Sequence, residues 1–270
     1  MDDRRVTPSL WIDGAPATAE ALAHQALVNY GAYTSFGVEN GAARGLDLHL
    51  ERLRDASVEL FGEAVPEDRL RALMRAAIGS REACWLRVSL FSDQISNRNP
   101  TWVGQPRVMV GVFDPPPPLR TRVRLQVQAH ERMAPRLKHV ANMDLLTTRR
   151  RARADGFDDA LFADRDGVLS EGTLWNIGFV RDDRVTWPRG PMLAGVTQRL
   201  IETGLAGVGL DSETRPVSRE MSTGFRQAFI CNSATPACPV GEIDGRALEI
   251  DPALIDRLRA AWASNPPQAI

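Results

Sequence analysis

The chain has 270 residues, with 33 lysine and arginine residues against 34 aspartate and glutamate residues, and a formal net charge of −1. This balance argues against a nucleic-acid binder or a membrane-surface binder, because both classes are clearly basic. A hydrophobic content of 43% is enough to bury one or two cores and is too high for a disordered chain. No apolar run reaches the roughly 18 residues that a membrane span requires.

The start of the sequence and its cysteines bear on the cellular compartment. The opening residues, Met-Asp-Asp-Arg-Arg, are not followed by the apolar stretch of a signal peptide. The three cysteines, Cys84, Cys231 and Cys238, are odd in number and far apart, so they do not form the framework of a disulfide-rich protein. We therefore expect a cytoplasmic protein.

Lysine usage is the most unusual feature of the composition. Lys138 is the only lysine, and the other 32 cationic side chains are arginines. A chain that uses arginine at every other cationic position does not need a lysine for solubility or ion pairs. An amine can lose its proton and act as a nucleophile, whereas a guanidinium cannot. Lys138 is therefore either a remnant of the composition bias or a residue retained for its amine.

The first part of the chain is predicted to contain both strands and helices. A strand over 10–12 leads into the turn Asp13-Gly14, and Asn40-Gly41 lies between two short runs that predict a hairpin. Asp47 is the predicted N-cap of a helix that ends at Gly62. The other elements predicted for this part are helices over 19–27 and 67–78 and strands over 84–91 and 107–113.

Four consecutive prolines begin at Pro115 and predict a linker over 115–120, because proline lacks a backbone donor and favours an extended path. This linker would join an N-terminal α/β domain, 1–114, to a C-terminal domain, 121–270. The elements predicted for the second domain are strands over 121–128, 160–163, 176–180, 184–187 and 229–231 and helices over 143–154, 196–203 and 252–263. Strands and helices do not alternate regularly, which favours an α+β fold with mixed sheets.

Several common catalytic and binding patterns are weak or absent. Gly204, Gly207 and Gly209 follow a predicted helix rather than a strand, so they indicate a helix end and not a dinucleotide loop. The arginine-rich run over 149–153 is typical of a solvated face or an interface. The cysteines and histidines have no metal-ligand spacing, and no Gly-x-Ser-x-Gly segment occurs. We therefore expect no metal site and find no support for serine-hydrolase chemistry.

Five segments are distinctive when they are considered in order along the chain. They are HLERL (49–53), KHVAN (138–142), GFDDALFADRDGVLSEGTLWNIGFV (156–180), LAGVTQRL (193–200) and CNSATPACPVGEIDG (231–245). Together they resemble the class IV aminotransferases, the fold-type IV group of pyridoxal-phosphate enzymes, over most of the chain. The resemblance implies a two-domain fold similar to D-amino acid aminotransferase, with mixed sheets, a barrel-like C-terminal domain that carries the lysine, and a homodimer.

The resemblance also implies a role for each matched residue. Lys138 would be the Schiff-base lysine that holds pyridoxal 5'-phosphate and then moves the substrate proton. Glu171 would face the ring nitrogen of the cofactor and keep it protonated. His49 would support the phosphate site or simply pack, and Asn176 would brace a strand turn. The residues implied for the phosphate group are Arg52, Val196, Thr197, Ser233 and Ala234.

Two departures from the family pattern concern the substrate. Met143 stands where branched-chain aminotransferases have a tyrosine that bonds the cofactor, and the segment that begins at Tyr33 lacks the family's Glu and Arg. Tyr30, Tyr33 and Arg87 are candidates to line the substrate pocket. Arg87 would either bind a carboxylate or lie at a strand edge.

Three functions remain open on the sequence alone. The leading one is a pyridoxal-phosphate-dependent aminotransferase that takes an amino group from an amino acid or amine and gives it to a 2-oxo acid. The second is a pyruvate-releasing lyase similar to aminodeoxychorismate lyase, which the loss of the family tyrosine at Met143 favours. The third is a catalytically idle cofactor-binding protein, which the retained Lys138 argues against. None of the three involves nucleic acid or a membrane.

Overall fold

The computed structural model describes residues 8–100, 103–117 and 121–270. Their contacts divide the chain into two compact units. Unit 1 contains the described part of 1–117 together with Leu137–Ala141 and Pro267–Ile270, and unit 2 contains the other described residues. The last part of the predicted proline linker, 118–120, lies outside the described residues.

The described residues form strands and helices in mixed order along the chain. The strands are β1 (Ser9–Ile12), β2 (Ala15–Pro16), β3 (Ala32–Glu39), β4 (Ala42–Arg44), β5 (Ala83–Phe91), β6 (Arg107–Phe113), β7 (Val123–Ala129), β8 (Asp159–Ala163), β9 (Leu169–Gly172), β10 (Asn176–Arg181), β11 (Arg184–Pro188), β12 (Asp211–Arg215), β13 (Gln227–Asn232), β14 (Thr235–Ile243), β15 (Arg246–Ala247) and β16 (Pro267–Ala269). The α-helices are α1 (Ala19–Val28), α2 (Leu46–Phe61), α3 (Glu67–Ile78), α4 (Met143–Ala154), α5 (Val196–Gly204), α6 (Arg219–Ser222) and α7 (Pro252–Ala263).

Unit 1 is built on an antiparallel sheet with the strand order β2-β1-β6-β5-β3-β4-β16. Side chains alternate across the sheet, so Phe36 and Val38 of β3 enter the hydrophobic core with Leu50 and Leu53 of α2. Tyr33 and Ser35, which alternate with Phe36 and Val38 along β3, point to the opposite face. This alternation places the side chains of β3 and β5 that concern function on the face away from that core.

Local turn chemistry explains the hairpin and the start of α2. Asn40 and Gly41 both have positive φ, 49° and 70°, as a two-residue hairpin turn requires. Gly45 is left-handed at φ 68° and directly precedes α2. The helix therefore begins at Leu46, and Asp47 lies in its first turn instead of at the predicted N-cap. Gly62, with φ 81°, ends the helix as predicted.

Unit 2 contains a closed barrel. Strands β10, β13, β14, β7 and β8 are neighbours in that order, and β9 pairs with both β8 and β10, which closes a ring of six strands. The pairs β7–β8 and β7–β14 are parallel, whereas β8–β9, β10–β13 and β13–β14 are antiparallel. The mixed sheet and the barrel-like architecture that were predicted are both present.

Main-chain bonds tie the lysine segment to unit 1. The Tyr33 N–H donates to the Lys138 carbonyl at 2.8 Å, and the Val140 N–H donates to the Gly31 carbonyl at 3.0 Å. The predicted C-terminal domain, 121–270, included both Leu137–Ala141 and Pro267–Ile270. The observed units differ from it because these two segments make their main-chain bonds with residues of unit 1.

None of the helices in the described residues combines the length and the apolar character that crossing a membrane would require.

Candidate active site

In unit 1, Lys138 lies beside an aromatic ring and a second cation. Its Nζ is 5.0 Å from the centroid of the Tyr33 ring, and the guanidinium carbon of Arg87 is 3.6 Å from the same centroid. Tyr33 is buried, and Ser35, two residues further along β3, pairs with Arg87 of β5. The structure therefore brings together Lys138 and two of the three candidate substrate residues.

The stacked arginine is held in a partly desolvated position. Burial lowers the pKa of Arg87, and the neighbouring Tyr33 opposes that change. An arginine begins from so high a pKa that its guanidinium stays charged near neutral pH. Arg87 is therefore a fixed positive charge that can bind a carboxylate.

His49 and Arg52 share one face of α2, one turn apart. The His49 Nδ1 is 2.6 Å from the Thr34 hydroxyl oxygen, and its ring is 4.5 Å from the Phe36 ring. Burial lowers the pKa of His49 well below its ordinary value, and the positive charges of Arg52 and Lys138 lower it further. His49 is therefore neutral near pH 7, and its hydrogen bond with Thr34 fixes the orientation of its ring.

Tyr30 lies outside the cluster around Lys138. Its hydroxyl donates to the carbonyl of Leu60 at 3.4 Å, and its ring meets Phe61 edge to face. Burial and the nearby Glu59 raise the pKa of Tyr30. The side chain is thus directed to the end of α2, away from the stacked pair of Tyr33 and Arg87.

In unit 2, Glu171 is buried in β9. One of its carboxylate oxygens accepts from the Arg132 guanidinium at 2.9 Å and from the Leu193 N–H at 3.1 Å. Both charged side chains are about 5% exposed or less. Removing either partner of such a pair costs about 3–5 kcal/mol, so the pair fixes the Glu171 carboxylate firmly in place.

Asn176 holds the loop that leads to the predicted anion-binding helix. It pairs with Glu171 across β9 and β10, and its side-chain amide donates to the Leu193 carbonyl at 3.0 Å. Leu193 is thus held through its N–H by Glu171 and through its carbonyl by Asn176. A Cβ at Gly195 would overlap the Asn176 side-chain oxygen, so a larger residue there would displace the Asn176 side chain from its bond with Leu193.

The first turn of α5 presents backbone N–H groups without a side-chain cap. Gly195 is the N-cap residue and offers no capping side chain, while Val196 and Thr197 are buried in the first turn. The first amides of a helix have no partner within the helix, and the helix dipole favours an anion there. Together with the Thr197 hydroxyl, these amides form a donor set suited to a phosphate group.

The turn between β13 and β14 contains Ser233 and Ala234. The Asn232 side-chain oxygen accepts from the Ala234 N–H at 3.0 Å and from the Thr235 N–H at 2.9 Å. The Ala234 amide, which the family resemblance assigned to the phosphate, is therefore already bonded within the turn. Ser233 is half-buried, and its hydroxyl is the remaining phosphate donor predicted for this turn.

Three residues with a role in this arrangement were missed by the sequence analysis. Arg132 carries no sequence signal that separates it from the other arginines. Asp159 and Asn232 lie inside the recognised motifs, but their importance comes from contacts across the barrel. Asp159 is buried and accepts from the Thr173 hydroxyl at 2.7 Å and from the Trp175 indole N–H at 3.0 Å. Among the described residues, no cluster of three or more His, Cys, Asp or Glu side chains is suited to a metal ion.

A family model described as "Amino-transferase class IV" matches residues 31–243 of the chain. The match covers well over half of the sequence and includes all five motifs except the last residues of the fifth. The chain belongs to the class IV aminotransferase family. It is therefore an enzyme of the transaminase type with pyridoxal 5'-phosphate as its cofactor, and the family, fold-class, enzyme and cofactor predictions are confirmed.

Individual relatives agree with this assignment. A probable branched-chain-amino-acid aminotransferase of Rickettsia bellii is 25% identical over 253 residues, which is 87% of each chain. The branched-chain-amino-acid aminotransferase of Pseudomonas aeruginosa is 23% identical over 271 residues, covering 88% of this chain and 86% of that protein. A shorter match, to a probable branched-chain-amino-acid aminotransferase of Rickettsia felis, is 29% identical over 121 residues and spans 42% of that protein. None of these relatives is a lyase, so they do not favour the lyase alternative.

Solved structures show the same fold. The branched-chain amino acid aminotransferase from Escherichia coli has a TM-score of 0.81 and 20% identity, covering 94% of this chain and 92% of that chain. A hypothetical aminotransferase from Mycobacterium tuberculosis, in its PLP-bound form, has a TM-score of 0.78 and 21% identity, covering 96% of this chain and 99% of that chain.

The donor groups of the described residues fit pyridoxal 5'-phosphate. The cofactor requires an amine, a fixed carboxylate for its ring nitrogen, and several donors for its phosphate. The chain supplies the amine of Lys138 in unit 1, and in unit 2 it supplies the buried carboxylate of Glu171 and the uncapped first turn of α5. Each of these groups is held in place by the contacts described above.

Proposed function

We propose that this protein transfers an amino group from an amino acid or amine to a 2-oxo acid, with Lys138 as the residue that holds the cofactor and moves the substrate proton. The observation that carries the proposal is the placement of the chain's only lysine beside Tyr33, Arg87 and a neutral His49. Bound pyridoxal 5'-phosphate supplies a ring that accepts electron density from the substrate carbon.

The residues of unit 1 have two proposed roles, which are proton transfer and anion binding. Main-chain bonds to Tyr33 of β3 and to Gly31 just before it hold the segment around Lys138, so its amine is presented from a fixed backbone. The neutral His49 adds no positive charge of its own beside Lys138 and Arg52. The guanidinium of Arg52 would donate to the phosphate. Lys138 would take the proton from the substrate carbon onto its Nζ and hold it there for return.

The residues of unit 2 bind the other parts of the cofactor. Glu171 would accept from the protonated ring nitrogen, and its pairing with Arg132 prevents the carboxylate from turning away. The amides of Val196 and Thr197, the Thr197 hydroxyl and the Ser233 hydroxyl would bind the phosphate. The Ala234 amide could join them only by exchanging its bond to Asn232, so we do not include it.

Arg87 is proposed to bind a carboxylate of the substrate, with Tyr33 as the surface beneath it. The guanidinium is stacked on the ring and has lost part of its hydration, which strengthens a charge-assisted bond to a carboxylate. This favours amino acids over simple amines as donors.

We also propose a cytoplasmic homodimer. Cys84, Cys231 and Cys238 are buried as thiols and not as disulfides, which supports a reducing compartment. Met143 and Leu146 on α4 are 82% and 60% exposed, and exposed apolar side chains of this kind support an interface. Sedimentation equilibrium of the full chain would measure the subunit number.

A direct assay tests the proposed reaction. The protein loaded with pyridoxal 5'-phosphate is incubated with a panel of amino donors and a 2-oxo acid, and the new amino acid is measured by chromatography. We expect one amino acid product per 2-oxo acid formed from the donor. Pyruvate released without an amino acceptor would instead support the lyase, and no product from any donor would contradict both activities. The matched control is Lys138→Ala, which should form no product.

A further inference from the structure

A single side chain, Asn232, links two turns at one end of the barrel. Its Oδ1 accepts from the Ala234 and Thr235 amides in the β13–β14 turn, at 3.0 and 2.9 Å. Its Nδ2 donates to the Leu174 carbonyl at 3.2 Å in the β9–β10 turn. Since two N–H groups and one carbonyl surround the amide, only one orientation of Asn232 satisfies all three bonds.

The β9–β10 turn is short and connects two residues of the site. It spans Thr173 to Trp175, between Gly172, the last residue of β9 and the neighbour of Glu171, and Asn176 at the start of β10. The Gly172 N–H donates to the Trp175 carbonyl at 3.0 Å. A displacement of Leu174 within so short a connection would therefore be transmitted to Glu171 and Asn176.

We propose that Asn232 is a positioning residue that holds the phosphate-binding turn and the Glu171 turn in a fixed relation to each other. The inference rests on the proposed function, because it assigns Ser233 to the cofactor phosphate and Glu171 to the ring nitrogen. The rigid cofactor requires a fixed spacing between the donors for its phosphate and the acceptor for its ring nitrogen. Asn232 provides one direct side-chain connection between the two turns that carry them.

The two ends of the amide have separate tasks. The oxygen shapes the turn around Ser233, in the way that an asparagine side chain commonly replaces a backbone acceptor in a turn. The amide nitrogen ties that turn to Leu174. A substitution that keeps only the oxygen would therefore separate the shape of the phosphate turn from the position of Glu171.

Two variants distinguish the function of the Asn232 oxygen from that of its amide nitrogen. Asn232→Ser keeps a short uncharged acceptor that can bond the turn amides, but it is too short to donate to Leu174. Asn232→Ala removes both functions. The control is Asn265→Ala, which loses side-chain bonds to the carbonyls of Leu200, Ala261 and Trp262 elsewhere in unit 2. It tests the effect of losing an asparagine from this unit in general.

Three properties of the full chain are measured for each variant. They are the Kd for pyridoxal 5'-phosphate, the visible circular dichroism per bound cofactor, and kcat and KM at saturating cofactor. Asn232→Ala should raise the Kd about tenfold, the equivalent of one lost hydrogen bond of ordinary strength, and should reduce the dichroism and kcat. Asn232→Ser should reduce the dichroism and kcat with KM unchanged, and should leave the Kd within about twofold of wild type.

Each possible outcome supports or overturns the inference. A wild-type dichroism and kcat in Asn232→Ser would overturn the link to Glu171. An unchanged Kd in Asn232→Ala would overturn the role in the phosphate turn. Equal losses in Asn265→Ala would reduce both effects to general destabilisation and would also overturn the inference. Failure of the proposed function is recognised separately, because the wild-type protein itself would then form no transamination product.

Discussion

Replacing Lys138 by arginine keeps a positive charge but removes the only side-chain amine in the chain. A guanidinium does not act as a nucleophile at neutral pH, so we expect Lys138→Arg to bind pyridoxal 5'-phosphate without covalent attachment and without activity. Borohydride reduction followed by peptide mapping should label the peptide that contains Lys138 in the wild-type protein. The same treatment should leave that peptide unlabelled in the variant.

A second amine nearby in the sequence provides the control for this labelling. Arg136→Lys adds an amine two positions before Lys138, and the label should stay on Lys138 because Lys138 itself makes the main-chain bond with Tyr33 of β3. An ordinary exposed lysine would tolerate arginine at a cost within about 0.5 kcal/mol. A Lys138→Arg protein that is still labelled and active would contradict the role given to Lys138.

The neutral state of His49 makes a prediction about stability and pH. Burial and two nearby cations lower its pKa in the folded protein, so below about pH 6.5 the unfolded chain binds a proton that the folded chain does not. The free energy of unfolding should therefore fall as the pH drops below about 6.5, with this group contributing up to about 1.4 kcal/mol per pH unit.

Denaturant unfolding of the cofactor-free protein between about pH 5 and pH 7.5 measures this dependence. His49→Gln lacks the titrating group, so the difference in unfolding free energy between wild type and variant should shrink as the pH falls. A difference that stays constant over this range would mean that His49 has the same pKa in the folded and the unfolded protein, as a freely solvated histidine would.

Single residues differ in how far the sequence could predict their roles. The order of the motifs predicts roles for Lys138 and Glu171, and the structure shows a main-chain bond at Lys138 and a buried ion pair at Glu171. The partner of Glu171 could not be predicted, because Arg132 is one of 32 arginines and the contact depends on the closed barrel. The bond between Asn232 and the Ala234 amide could not be predicted either, because a sequence motif does not show which backbone amides already donate hydrogen bonds.

At the scale of elements, Gly195 decides whether α5 can bind an anion. An added Cβ would overlap the Asn176 side-chain oxygen and would push apart the loop and β10. We expect Gly195→Ala to raise the Kd for pyridoxal 5'-phosphate at least about tenfold, because the first-turn amides of Val196 and Thr197 would be displaced. Titration of the cofactor-free protein measures the change.

The matched control for this substitution is Gly207→Ala, a few residues beyond the end of α5. A Cβ at Gly207 would meet nothing within 4 Å, so the Kd should stay at the wild-type value. Equal Kd values in the two variants would show that the first turn of α5 does not bind the cofactor phosphate.

A predicted element is accurate when the sequence pattern that indicates it lies within the element itself. Helices α3, α4 and α7 and strand β6 have the predicted bounds because the residue pattern that predicts each of them lies within the element. Strand β14 was missed because Pro236 and Pro239 interrupt its pattern, although it pairs on both sides. Strand β9 was missed because Ser170, Glu171 and Gly172 are all buried by the barrel and show no polar alternation.

Across the whole molecule, sequence position does not determine which unit a segment joins. The last residues, Pro267–Ile270, belong to unit 1 although the residues just before them belong to unit 2. Strand β16 pairs with β4, and the carbonyls of Ala269 and Ile270 accept from Arg71 and Arg75 of α3. A prediction based on chain order could not find this, because these contacts span nearly 200 residues.

Ile270 therefore provides a test at the level of the whole chain. Its side chain is 7% exposed and packs in the core of unit 1 with residues such as Leu46 and Ile78. Ile270→Ala should lower the free energy of unfolding by about 2–3 kcal/mol, the lower end of the range for truncating a buried aliphatic side chain. Hydrogen exchange should locate the lost protection in β3, β4 and α2.

The control Ile250→Ala removes a 40% exposed side chain of unit 2 and should cost less than about 1 kcal/mol. Protection lost only from the barrel strands in Ile270→Ala would contradict the assignment of this segment to unit 1.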